Sequence, residues 1–208
     1  NYRDSEDKAD EIKLILLDKQ YDEAEKLFND GEYTEALKIY KNLNGYKNSK
    51  ARIEEVHNRL SKGNVIYFGT YNNEPIAWQI VKNEENKLLL LADETIKQLP
   101  VNNELKDIDF KDSTLNAWLN NDLIQDFTQD QKEKIITTDN VKIFLLNEKT
   151  IIELKEAKVD LSCDSEWWIV EKSETGFKYV SKSGSVVNEG DLVVRDKGIR
   201  PAVWISID

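Results

Sequence analysis

Apolar residues recur at helical spacing through the first sixty positions and then give way to short runs of alternating polarity. Tyr21, Ala24, Leu27 and Phe28 fall on one face of a helix. Asn29-Asp30-Gly31 interrupts that pattern, and Gly31 suits a left-handed helix end. Ala36, Ile39, Tyr40 and Leu43 then make a second apolar face, so residues 18–43 are predicted to form a helical hairpin. A third helix is predicted after Tyr46-Lys47-Asn48-Ser49, with Asn48 or Ser49 as its cap and Ile53, Val56 and Leu60 as its stripe.

An internal repeat runs through this region. Asn1-Tyr2-Arg3-Asp4-Ser5 matches Gly45-Tyr46-Lys47-Asn48-Ser49, and at the same offset of 44 residues Ile12 matches Val56 and Leu16 matches Leu60. That offset lies in the range of helical-repeat arrays. The chain is therefore expected to open at the equivalent of its own third helix, with further repeats upstream.

Beyond residue 63 the period shortens. Val65-Ile66-Tyr67-Phe68-Gly69 is a β-type run, and Ile76, Trp78 and Ile80 alternate with Ala77, Gln79 and Val81, which directs Trp78 inward. The run Lys87-Leu88-Leu89-Leu90-Leu91-Ala92 reads as a buried strand, and the three runs together predict an antiparallel meander. Asp112-Ser113 precedes Leu115, Trp118 and Leu119 at i, i+3, i+4 spacing, the mark of a capped helix. Helical pattern returns at 129–136 and 148–155, with a β-like run at 141–146. Short strands are predicted at 167–170, 177–181, 192–195 and 201–207, punctuated by Gly176, Gly184, Gly190 and Gly198. Trp78, Trp118 and Trp204 are expected in the core. Adjacent strand residues point to opposite faces, so one of Trp167 and Trp168 is expected inside and the other outside.

Charge sharpens the division. Of the formal net charge of −11, residues 1–62 carry −2 and residues 63–208 carry −9, and all five Trp lie in the second part. This places a domain boundary near residues 62–64, between a helical segment (1–62) and an α+β domain (63–208). So acidic a chain repels phosphate backbones and anionic membrane surfaces, which argues against nucleic acid as a partner. No apolar run approaches the ~20 residues that cross a bilayer, so no membrane insertion is expected within this chain.

The motifs also carry family resemblances. Gly31-Glu32-Tyr33-Thr34-Glu35-Ala36, followed by Tyr40, resembles the second half of a tetratricopeptide (TPR) repeat. From Asn64 onward the order of motifs resembles the bacterial family DUF6273, itself similar to the C-type-lectin-like and formylglycine-generating-enzyme-like superfamily. The matching pieces begin with Phe68-Gly69-Thr70-Tyr71, Pro75-Ile76-Ala77-Trp78 and the leucine run at 88–91. They continue through Ser113-Thr114-Leu115-Asn116-Ala117-Trp118-Leu119-Asn120 and Ile143-Phe144-Leu145-Leu146. Trp167-Trp168 and Gly198-Ile199-Arg200-Pro201-Ala202-Val203-Trp204-Ile205 complete the set. The resemblance implies a C-type-lectin-like mixed fold with short antiparallel strands, presented at a bacterial cell surface by the helical segment. Two positions depart from the family pattern: Phe110 stands where an aromatic, often Trp, precedes the Ser-Thr-Leu helix, and Ile169-Val170 follows the Trp pair where Arg is common.

Candidate chemistry is sparse. His57 is the only histidine and Cys163 the only cysteine, which excludes an intrachain disulfide and a four-ligand Cys/His zinc site. His57, among charged neighbours on the third helix, reads as a surface or interface residue. The cysteine pair on which formylglycine-generating enzymes rely is not present, and no catalytic residue, metal or cofactor is predicted. The sugar-binding calcium motifs of C-type lectins resemble Glu-Pro-Asn and Trp-Asn-Asp; here Ile76 follows Glu74-Pro75 and Leu119 follows Trp118.

Asp160, Asp164 and Glu166 cluster before Trp167-Trp168. Such a cluster can be a solvated loop, a sugar or Ca²⁺ contact, or a carboxylate pair for glycoside chemistry. Arg200 can hold an anion or anchor the last strand through charge-assisted hydrogen bonds. The expected function is a non-catalytic module binding a protein or carbohydrate ligand, with Trp167, Trp168, Asp164, Glu166 and Arg200 as candidate contacts. A carboxylate-dependent glycan enzyme and a structural protein-interaction module are the alternatives.

Overall fold

Helix α1 (Tyr2–Asn29) carries Leu17, Tyr21, Ala24 and Phe28 along one side, and this side packs against α2 (Tyr33–Asn42) and α3 (Ser49–Arg59). The structure, a computed structural model, describes residues 2–138 and 140–207, with side chains from residue 8 onward. The first arm of the hairpin expected over residues 18–43 is the second half of a longer helix, because Leu17-Asp18-Lys19-Gln20 contains no breaker, and α2 is the second arm. Gly31 ends it at φ 81°, as predicted. The repeat match on Asn1-Tyr2-Arg3-Asp4-Ser5 lies outside the described side chains. At the same offset the environments differ: Val56 and Leu60 are buried, whereas Ile12 and Leu16 are 60% and 55% exposed.

The meander follows as β1 (Val65–Tyr71), β2 (Glu74–Glu84) and β3 (Lys87–Ala92). After β4 (Lys97–Leu99) comes α4 (Thr114–Ala117), capped by Ser113, whose Oγ accepts from Asn116 N at 3.1 Å. The helix then widens over Trp118–Asp122 and tightens over Leu123–Asp126. The widened turn presents Asn120 to the two-residue strand β5 (Ile143–Phe144), where it donates to Ile143 O at 2.9 Å and accepts from Lys142 N at 2.9 Å. Helices α5 (Gln129–Lys134) and α6 (Glu148–Glu156) flank β5 in the chain.

The last third supplies β6 (Trp167–Lys172), β7 (Phe177–Val180), β8 (Val186–Asp191), β9 (Lys197–Ile199) and β10 (Ala202–Ser206). One sheet has the order β1-β2-β3-β10-β5 and the other β4-β9-β6-β7-β8. All pairings between these strands are antiparallel except β6 with β9. The architecture is thus α+β, a helical N-terminal part followed by two antiparallel-rich sheets. The strand expected at 192–195 is instead a turn, closed by Arg195 N donating to Leu192 O at 2.9 Å. Its place beside β7 is taken by β8, an edge strand whose half-exposed Val-Val-Asn-Glu-Gly-Asp lacks an apolar alternation to announce it.

One buried cluster runs from Ala24, Leu37 and Leu60 of the helical part into Ile66, Trp78 and Trp168. Backbone bonds join the parts as well: Gly63 N donates to Ile80 O and Ile80 N to Asn64 O, both at 2.8 Å. Trp78 faces inward as expected and is fully buried. Trp118 and Trp204 are half-buried at the rim rather than in the core. Trp118 meets Tyr71 edge to face at 5.8 Å, and Lys87 Nζ lies 4.6 Å over the Trp204 ring.

Gly69 allows the bulge in β1, with φ at 70°, and a side chain there would overlap the Phe127 ring. Gly69→Ala is expected to lower stability by ~1–3 kcal/mol through strain and overpacking. Chemical denaturation reads it, and an unchanged midpoint would mean that Phe127 moves aside freely.

Candidate functional site

The candidate contacts lie on two stretches that meet where β6 and β9 run parallel. Gly198 N donates to Glu166 O at 2.8 Å, and a side chain at Gly198 would overlap Thr95 and the Glu166 carbonyl. This close approach places Asp164, Ser165 and Glu166 beside Asp196, Lys197 and Gly198. With Gln98 and Lys182 they line an open cleft of about 440 Å³. Asp164 and Glu166 are therefore brought together as sequence neighbours of one cleft, Asp164 exposed and Glu166 half-buried. Asp160 lies outside that lining; its carboxylate accepts from Ser162 N at 2.9 Å, which holds its pKa below the usual carboxylate range.

Lys197 organises the floor. Its Nζ lies 2.8 Å from Glu166 Oε2 and 3.1 Å from Asp191 Oδ2, and 3.9 Å above the centre of the Tyr179 ring. Burial alone would lower the Lys197 pKa, but the hydrogen bonds to Glu166 and Asp191 outweigh it, and the ammonium is held above its ordinary range. For Asp191, burial works upward, while the Leu192 amide and Lys197 bring its pKa below the ordinary range. Glu166 and Asp191 with the Lys197 ammonium between them form an ion-pair network that favours the charged forms of Lys197 and Asp191.

Neither tryptophan of the pair is available at the surface. Trp167 and Trp168 are both fully buried, contrary to the expected one-in, one-out arrangement. They do point to opposite faces, but both faces of β6 are covered. Trp168 joins the main cluster and donates from Nε1 to Leu99 O at 3.0 Å. Trp167 sits in a second cluster with Leu89, Leu91, Ile151, Leu154 and Ala202, beneath α6. The sequence could have signalled this: Ile169 follows the pair, so three large apolar residues stand in succession, as in a strand covered on both sides.

Arg200 is 2% exposed and spends its donors on backbone carbonyls. Nε donates to Ala92 O at 2.8 Å, Nη1 to Leu161 O at 3.1 Å, and Nη2 to Asp93 O at 3.1 Å. The guanidinium centre lies 5.4 Å over the Trp167 ring. Burial lowers its pKa against the pull of Cys163, Asp93, Glu94 and Asp160. It ties the end of β3 to the 161–162 segment and to the start of β10. Cys163 is half-buried, with Sγ 3.3 Å from Glu94 Oε2, and His57 is exposed on α3. Among the described residues no three His, Cys, Asp or Glu side chains converge in a group that could hold a metal ion. No described helix is long and apolar enough to cross a membrane.

Residues 85–144 match the model of a family described as a domain of unknown function, DUF6273. The matched stretch starts at the turn before β3 and ends at β5, so it covers the α4 helix and its Asn120 anchor. No curated protein and no solved structure matches the chain.

Proposed function

We propose that the chain is a non-catalytic binding module, with a TPR-like helical part and a C-type-lectin-like α+β part. Its ligand is a small polyhydroxylated molecule of the carbohydrate class, held in the cleft of Asp164, Glu166, Lys182 and Lys197. The observation that carries this is the lining of the cleft: carboxylate acceptors, ammonium donors and an amide converge on one open space. Hydroxyl groups both donate and accept, so such a set can satisfy them in pairs. With Trp167 and Trp168 buried, recognition rests on hydrogen bonds rather than on stacking. The Glu166–Lys197–Asp191 network fixes part of the donor set in place before a ligand arrives, which limits the ordering entropy on binding.

The test is a thermal-shift screen of the whole chain against a glycan panel, with calcium and with chelator. At a ligand concentration ~100 times Kd, binding adds ~2.7 kcal/mol, a rise of roughly 5–10 °C for a chain of this size. One sugar class is expected to give a saturable rise that Asp164→Ala, at an exposed position, abolishes. If no sugar raises the midpoint, or if Asp164→Ala leaves the rise intact, the cleft is not the carbohydrate site.

A further inference from the structure

A separate concavity lies where α1 and α2 meet α5. It is a groove of about 620 Å³ with Leu27 and Ile39 on its floor. The contribution of α1 is Gln20, Glu23 and Leu27. At 100° per residue, Ile12 and Leu16 fall on the same narrow arc of α1 as these three. They are 60% and 55% exposed and carry the same side of α1 beyond the end of the groove as an uncovered apolar pair, with Gln20 and Glu23 between them and Leu27. From Ile12 to Leu27 the surface is roughly 22 Å long at 1.5 Å per residue.

The walls are acidic. Glu23, Glu32, Glu35, Asp130 and Glu133 line the groove against Lys38 and Lys134. Among the described residues, only Glu35 of these five acids is held in an ion pair, at 2.8 Å to Lys134. Five acidic side chains against two lysines leave the groove an excess of negative charge, and burial, together with the charges of Glu35 and Asp30, raises the Glu32 pKa. A second copy of this chain would bring another net-negative molecule to that surface, because the chain carries −11.

We propose that this groove and the Ile12/Leu16 pair dock a basic amphipathic helix of a partner protein. An apolar floor flanked by unpaired carboxylates matches a helix with Leu-type residues on one face and Lys or Arg along its edges. The site is separate from the carbohydrate cleft and does not depend on it.

The experiment uses the whole chain and two labelled synthetic peptides of about 18 residues, long enough to cover the surface. Both are built from leucine and lysine in the same proportions. In one the leucines share a helical face, and in the other they are scattered. Fluorescence anisotropy at about 150 mM salt screens weak surface attraction. The facially ordered peptide is expected to bind saturably at one per chain, with the scattered one at least ~10-fold weaker. Ile12→Ser with Leu16→Ser, and separately Glu23→Lys with Glu133→Lys, are each expected to weaken it ~10-fold. All four positions are exposed, so unfolding midpoints should stay put. Equal binding of the two peptides, or binding unmoved by the Ile12/Leu16 change, would overturn the proposal in favour of diffuse charge attraction. Self-association in sedimentation that the same change abolishes would overturn it too, by assigning the pair to a second copy.

Discussion

Arg200→Ala is expected to lower the unfolding free energy by ~3–5 kcal/mol, because it leaves three buried carbonyls without their charged donor. The guanidinium holds the carbonyls of Ala92, Asp93 and Leu161 at 2.8–3.1 Å. Each buried acceptor left without a donor costs ~1–3 kcal/mol, and water entering the vacated volume recovers part of that. Arg200→Lys should rescue only a fraction, because an ammonium cannot span three carbonyls that a planar fork reaches from fixed positions. Urea denaturation measures both, with an unchanged m-value marking a pure stability effect. If Arg200→Ala stays within ~1 kcal/mol of the parent, the clasp is not structural and the side chain becomes available as an anion ligand.

Arg200 also shows where sequence reasoning is sufficient and where it stops. The Gly-Ile-Arg-Pro string next to Trp204 permits both a ligand role and an anchoring role. Only the fold, by bringing residues 92–93 and 161–162 around one guanidinium, chooses between them. Local signals fare better. The alternation at Ile76, Trp78 and Ile80, the Gly31 helix end and the Ser113 cap all appear where periodicity and capping chemistry place them. Each depends on residues within one turn or one strand.

What failed depended on distant partners. The outward Trp of the Trp167-Trp168 pair is covered because α6 packs over β6; the run Trp167-Trp168-Ile169 marks a strand covered on both faces, but nothing in 167–170 says which element covers it. Strand β8 is missed because an edge strand needs no apolar alternation, and Leu192 and Val194 mimic a strand that the turn at 192–195 replaces. Of the proposed contacts, Asp164 and Glu166 share a cleft because Gly198 lets β9 run against the residue before β6. Lys197 and Lys182, which complete the cleft, carry no distinguishing neighbours among the chain's many charges. The groove beside α5 is still further from legibility, since its walls come from residues about a hundred positions apart.

Trp78→Ala is expected to be at least as costly as the Arg200 change, at ~3–5 kcal/mol. The ring is fully buried in the cluster that joins the helical part to the first sheet, and its Nε1 donates to Phe68 O at 2.6 Å. Trp78→Phe keeps most of the packing and removes the donor, so its ~1–3 kcal/mol isolates the unsatisfied Phe68 carbonyl. Trp118→Ala, at a half-buried rim position, should fall clearly below Trp78→Ala; the reverse order would mean the core centre is misplaced. The shape of the transition carries further information. Leu60, at the end of α3, and Trp78 belong to one buried cluster, and Asn83 Nδ2 donates to Leu60 O at 3.0 Å. A cavity at Trp78 therefore weakens the support of the helices as well as that of the sheet. Helical circular dichroism and tryptophan fluorescence should move to lower denaturant together and remain superimposable. If the helical signal keeps its parental midpoint while fluorescence shifts, the helical segment folds independently of the sheet it packs on.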